Sequence, residues 1–297
     1  MKRRDLLAPA LLTGLDLPAH ATEPLRVVAS FSILADWLRV IGGDAVRVEA
    51  LVGPDADAHV FTPRPSDARK LAQADLVAVI GLGFEGWMAR LIKASGSRAS
   101  VVIASAGIEP LKGGHGHAHD VDPHFWHDPV RTRQALHTLR DALARVRPAE
   151  AEGFARRCAT YEAELMAVHA QVQSWQGPVP TAQRRVFTHH DAFAYFGRAY
   201  GVKFLAIKGM NTEAEATAGS VARLIQQLQR ERVRAVFIEN ISDPRLVQRI
   251  AAEAGATVGG RLYSDALSAT GGVADSYLKL LSHNARAIAT ALQGQPS

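Results

Sequence analysis

The sequence predicts an α/β protein: two Rossmann-like α/β lobes with parallel sheets, joined by one long backbone helix. Three observations carry this. Short β-branched or wholly apolar runs alternate with amphipathic segments, the pattern of a parallel sheet covered by helices on both faces. The alternation comes in two separate series, one ending near residue 104 and one beginning at Arg185. Between them Phe154, Cys158, Tyr161, Leu165, Val168, Val172 and Trp175 recur at spacings of four, three, four, three, four and three, a continuous stripe on one helix.

Taken in order, Leu25 to Ala29 reads as a strand and Ile33 to Ile41 as the helix that follows it. Val46 to Val52 is a strand and Pro65 to Ala74 a helix. Leu76 to Ile80, closed by Gly81 and Gly83, is a wholly apolar strand; Trp87 to Ala94 is a helix and Ser100 to Ala104 a strand. In the second series, strands at Val186 to Thr188, Lys203 to Ile207 and Ala235 to Glu239 alternate with helices at Ala192 to Tyr200, Thr217 to Glu231 and Pro244 to Ala254. A last helix runs from Ala274 to Leu292. The striped segment, from about Pro148 to Gln176, spans about 42 Å as a helix, enough to bridge two lobes, and Pro178 and Pro180 end it. The expected division is an N-terminal lobe over 22–147, the linking helix over 148–177 and a C-terminal lobe over 178–297, with the helix acting as a stiff hinge.

Composition narrows the function. The chain has 297 residues, 47% hydrophobic and 21% charged, which excludes disorder and rod-like coiled coils. Its 34 basic and 29 acidic residues leave +5, scattered along the chain, so no nucleic-acid partner is expected. The single cysteine, Cys158, allows neither an intramolecular disulfide nor a cysteine zinc finger, so any metal falls to His, Asp or Glu. Lys2, Arg3 and Arg4, an apolar stretch from Leu6 to Leu17, and Ala19-His20-Ala21 read as a signal peptide over 1–21 and imply a periplasmic protein. No cysteine follows that apolar stretch, so no lipid anchor is expected.

The histidines carry the chemistry. His115, His117 and His119 alternate within GGHGHAHD, a glycine-rich stretch over 113–120 that reads as a metal-attracting loop. Just after it, Asp122-Pro123-His124-Phe125-Trp126-His127-Asp128-Pro129 is a proline-bracketed turn holding two imidazoles. His59, in Asp57-Ala58-His59-Val60-Phe61-Thr62-Pro63, follows a strand and so lies at the carboxyl edge of its sheet, where open α/β sheets bind ligands. His189 and His190 follow a strand in the matching place of the second series. Asp265, in Tyr263-Ser264-Asp265-Ala266-Leu267, lies past the next strand there; alone, it would also suit a helix N-cap.

DAHVFTPRPSD, DPHFWHDP, THHDAFAYF and AVFIEN followed by LYSDALS stand in the order and at about the separations of one family's motifs. From about residue 24 to 295 the chain resembles the periplasmic metal-binding proteins that serve ABC transporters for zinc and manganese. The resemblance implies two α/β lobes on one long helix and metal ligands at His59, His124, His190 and Asp265, with His124 and His190 matched by motif position in preference to His127 and His189. Two departures stand out: Ala58 replaces a common proline, and His127 occupies a commonly apolar position.

Three imidazoles and one carboxylate suit Zn²⁺. Manganese and iron(II) favour harder, more oxygen-rich sites, and the manganese members the chain resembles carry Glu where this chain has His190. The expectation is a monomer that captures Zn²⁺ between its lobes and delivers it to an ABC transporter permease at the inner membrane, with the His-rich loop taking zinc from a periplasmic chaperone. Manganese or iron(II) capture by the same fold is the alternative, and a zinc-dependent hydrolase the more distant one. Glu239 reads either as an acceptor orienting a ligand imidazole or as half of a salt bridge. No His-Glu-x-x-His helix, Gly-x-Ser-x-Gly elbow or phosphate loop occurs, and Gly81-Leu82-Gly83 is only half a dinucleotide fingerprint, so no enzyme is expected.

Overall fold

A computed structural model describes residues 23–113, 121–210, 212, 217–233 and 235–294. The expected signal peptide and His115, His117 and His119 lie outside the described residues.

The first series builds a parallel sheet of β1 (Leu25–Phe31), β2 (Val46–Val52), β3 (Leu76–Val79) and β4 (Ser100–Ile103), in the order β2-β1-β3-β4. The register pairs Val27 with Val48 on one side and Leu76 on the other. Every residue of β3 is buried, as its unbroken apolar run requires of a central parallel strand. Around the sheet lie α1 (Ser32–Gly42), α2 (Pro65–Gln73) and α3 (Met88–Ser95).

Two helices follow. α4 (Pro129–Val146) has no counterpart among the elements read from the sequence. Its buried stripe is Thr132, Ala135, Leu136, Leu139, Ala142 and Leu143, half of it alanine and threonine, so its apolar period is faint. The helix starts where Asp128 accepts a hydrogen bond from the Val130 N–H at 2.9 Å and Pro129 takes the first helical position.

α5 (Ala151–Gln176), 26 residues or about 39 Å, is the striped segment. Phe154, Cys158, Tyr161 and Leu165 join the core of the first lobe, Val172 joins that of the second, and Val168 touches both. Arg157 of α5 donates from Nε to the Ile41 carbonyl (2.7 Å) and from Nη2 to that of Gly42 (2.9 Å), tying α5 to the last turn of α1.

The second lobe repeats the topology. β5 (Arg185–His190), β6 (Lys203–Lys208), β7 (Ala235–Glu239) and β8 (Thr257–Leu262) form a parallel sheet in the order β6-β5-β7-β8, with α6 (Ala194–Tyr200), α7 (Ala218–Arg230) and α8 (Pro244–Ala254). In each sheet the strand order turns back between its first and third strands, a switch point whose carboxyl end opens a crevice. The final helix, α9 (Tyr277–Leu292), crosses between lobes as α5 does: Tyr277, Leu280 and Leu281 pack into the first core, Ala285 and Ile288 into the second.

Candidate metal site between the lobes

Four side chains from four separate loops and strand ends meet between the switch points. His59 is on the loop after β2, His124 precedes the turn Phe125–His127, His190 is the last residue of β5, and Asp265 follows β8. One donor atom from each lies within 4.8 Å of all the others. His59 Nε2 is 3.2 Å and His190 Nε2 3.0 Å from Asp265 Oδ2, and His124 Nε2 is 3.6 Å from Asp265 Oδ1. His124, His190 and Asp265 are fully buried and His59 is 7% exposed, so water has at most a narrow approach on the His59 side. All five of these converging nitrogens and oxygens lack an aligned hydrogen bond. Such a cluster is a poor way to bury polar atoms for structure alone and a good way to hold one cation.

The residues behind the site set which nitrogen points inward. Asp122 Oδ1 lies 2.7 Å from His124 Nδ1, and Glu239 Oε2 lies 2.5 Å from His190 Nδ1. A carboxylate at Nδ1 keeps the proton there and leaves the Nε2 lone pair for a metal. Of the two roles open to Glu239, it takes that of acceptor for an imidazole. Sequence reasoning gave Asp122 no role, although a signal exists. Both first-lobe histidines sit in an Asp-x-His turn, with the His59 N–H donating to Asp57 Oδ1 at 2.8 Å and the His124 N–H to Asp122 Oδ1 at 2.9 Å. At Ala58, where proline is common, this turn and a hydrogen bond from Trp87 Nε1 to the Ala58 carbonyl (2.8 Å) hold the loop.

The adjacent histidines stay out of the cluster. His189 precedes His190 on a strand, where successive side chains face opposite ways. The His127 ring lies against Phe193, centroids 4.4 Å apart, with neither nitrogen hydrogen-bonded. Burial pushes its imidazole down to about 3, so it is neutral.

Electrostatics divides the cluster into fixed charges. Burial alone would raise the Asp265 carboxyl, but His190 and His124 outweigh burial and hold it well below the carboxylate range. Burial alone would lower His190; Glu239 and Asp265 on its two sides carry it well above 6.5. Glu239 is opposed by burial and lowered by His190. Without metal, the centre is a buried carboxylate–imidazolium–carboxylate row.

Bonds across the lobes close the site. Leu267 N–H donates to Ser32 Oγ (3.0 Å), Asp55 N–H to the Leu267 carbonyl (2.9 Å) and Thr212 Oγ1 to Asp57 Oδ2 (2.6 Å).

Two matching α/β lobes with a buried four-donor site between them define a solute-binding protein of transport, not an enzyme. The model of the family described as ZnuA, zinc-uptake complex component A, periplasmic, matches residues 27–291, and the chain belongs to that family, whose members are the metal-binding components of ABC transporters. The hydrolase alternative falls away. The chain is 30% identical to the manganese-binding lipoprotein MntA of Bacillus subtilis over 97% of each chain. It is 29% identical to the iron-binding protein YfeA of Yersinia pestis over 92% of this chain and 88% of that one. In structure it is similar to the periplasmic zinc-binding protein TroA of Treponema pallidum, with a TM-score of 0.86 and 28% identity over 91% of this chain and 99% of that one.

Proposed function

We propose that this protein is exported to the periplasm, captures Zn²⁺ with high affinity between its lobes, and delivers it to an ABC transporter permease at the inner membrane. In this reading His59, His124 and His190 supply Nε2 and Asp265 supplies a carboxylate oxygen, and the protein acts as a monomer. The observation that carries it is the convergence of three imidazole Nε2 atoms and one carboxylate within 4.8 Å in a buried site. That four-coordinate N₃O donor set suits Zn²⁺, whereas manganese and iron(II) take more oxygen. The His-rich segment 113–120 serves loading, accepting zinc from a periplasmic chaperone. Deleting it is expected to slow loading and leave interlobe affinity unchanged.

The relatives named for manganese and iron define the competing reading. The test is a titration of metal-stripped protein with Zn²⁺ and Mn²⁺ against a chromogenic chelator, repeated with His190→Ala. Tight one-to-one zinc binding that collapses in the variant, with weak manganese binding, is the expected result. Preference for manganese would replace the zinc reading, and tight binding of neither would end the proposal of a capture site.

A further inference from the structure

Trp126 joins two of the four donor-bearing segments, those of His124 and Asp265. Its backbone lies two residues past His124 in the first lobe, and its indole reaches the second lobe, where Nε1–H donates to the Ser264 carbonyl at 2.8 Å. Ser264 immediately precedes Asp265, and all three residues are fully buried. The indole ring makes T-shaped contacts with His124 and with Phe84, centroids 5.1 Å apart in each, and Phe84 in turn makes one with His59 at 4.8 Å. The Trp126 carbonyl accepts from Tyr277 Oη at 2.5 Å, and that hydroxyl also lies 2.8 Å from Thr132 Oγ1. The Trp126 backbone is thus held on the α4 and α9 side while the indole N–H grips the backbone beside Asp265.

On its far side the Asp265 loop is tied to the first lobe at Leu267, by Ser32 and Asp55, and the carboxylate can still shift or offer both oxygens to an ion unless the backbone on its near side is held as well. A hydrogen bond to the adjoining carbonyl fixes how far it stands from His124. We infer that Trp126 is a positioning residue that sets the separation of Asp265 from the first-lobe imidazoles, and through it the preference for a small tetrahedral ion over a larger one. This rests on the metal-capture reading above. Zn²⁺ favours four ligands at about 2.0–2.2 Å and loses most when one donor drifts. A larger ion that accepts more oxygen ligands tolerates the drift better.

The test compares the unaltered protein with Trp126→Phe and with a form carrying 3-benzothienylalanine at 126, which keeps the shape of indole and replaces its N–H with sulfur. Zn²⁺ and Mn²⁺ affinities are measured by chelator competition, and the visible absorption of the Co²⁺-loaded forms reports coordination geometry. Thermal unfolding without metal confirms that each form is folded. Losing one neutral hydrogen bond corresponds to about a tenfold change. Both altered forms are therefore expected to bind Zn²⁺ about tenfold more weakly, to bind Mn²⁺ nearly as before, and to lose intensity in the tetrahedral Co²⁺ bands. If the benzothienyl form matches the unaltered protein in zinc affinity and Co²⁺ spectrum, the N–H sets nothing and the inference is overturned, while the capture reading stands. If the unaltered protein binds none of the three ions tightly, the capture reading itself fails and the inference with it.

Discussion

Glu239 shows how little of a metal site is its donor atoms. Its two oxygens accept from the His190 backbone N–H (2.9 Å) and face Nδ1 of the same residue, so one side chain fixes the ring's position and tautomer together. Glu239→Gln keeps the shape and can present N–H in place of an acceptor; zinc affinity is expected to fall about 10–100-fold, read by chelator competition. His127 is the opposite case. It buries two nitrogens without hydrogen-bond partners, so His127→Leu is expected to raise the stability of the metal-free protein by about 1 kcal/mol in urea unfolding. Destabilisation would mean the imidazole makes a bond that matters. At this scale the four proposed ligands are named by motif position, and local sequence supports only two of them. Asp-x-His marks two of them, but nothing local separates His190 from His189 except motif position, because strand alternation selects a face only once the sheet is built.

At the scale of elements, the long helix was the most readable part of the chain. Its seven apolar positions keep one phase over six turns, and five of them are fully or almost fully buried. α4 is faint in the sequence because alanine and threonine, which bury little area, make half of its inner face. The sequence pattern also does not show how α5 is fastened. Arg157 binds the two terminal carbonyls of α1, groups that an α-helix leaves unpaired. Arg157→Ala is expected to destabilise the protein by about 2 kcal/mol in urea unfolding, because two charge-assisted bonds and a packed stem are lost. Zinc affinity of the folded variant should stay within about twofold, since the site is held by other loops.

For the whole molecule, the proposed site links metal capture and folding through His190. Its imidazole is raised above 6.5, so its stabilising contribution to the metal-free protein is complete below about pH 6.5 and is lost as pH rises through the higher folded value. Asp265 and Glu239 are lowered below 3.8 and 4.5, so their contributions are present above those values and are lost only as pH falls through the lower folded ones. The metal-free row is therefore at full strength from about pH 4.5 to 6.5 and weakens above that. A metal ion at His190 Nε2 must displace the proton, so zinc binding at pH 7 is expected to release about one proton, seen by calorimetry in buffers of different ionisation enthalpy. The rise in Tm caused by zinc should likewise grow from pH 6 to pH 8. A rise that is flat or falls over that interval would remove His190 from the ligand set.

The sequence by itself determined the architecture. Short β-branched and unbroken apolar runs, an apolar stripe at helical spacing and the Gly and Pro stops are local properties, written in neighbouring residues and read without knowing what lies opposite them. Tertiary structure decided the site's inner workings. Asp122 and Glu239 standing behind two imidazoles, the indole of Trp126 reaching across 138 residues of chain to Ser264, and α9 packing into both cores each join residues from distant parts of the chain. Charge acts through space: with Glu239 beside it and Asp265 3.0 Å away, His190 keeps its proton and Asp265 stays ionised, against a burial that by itself favours both neutral forms.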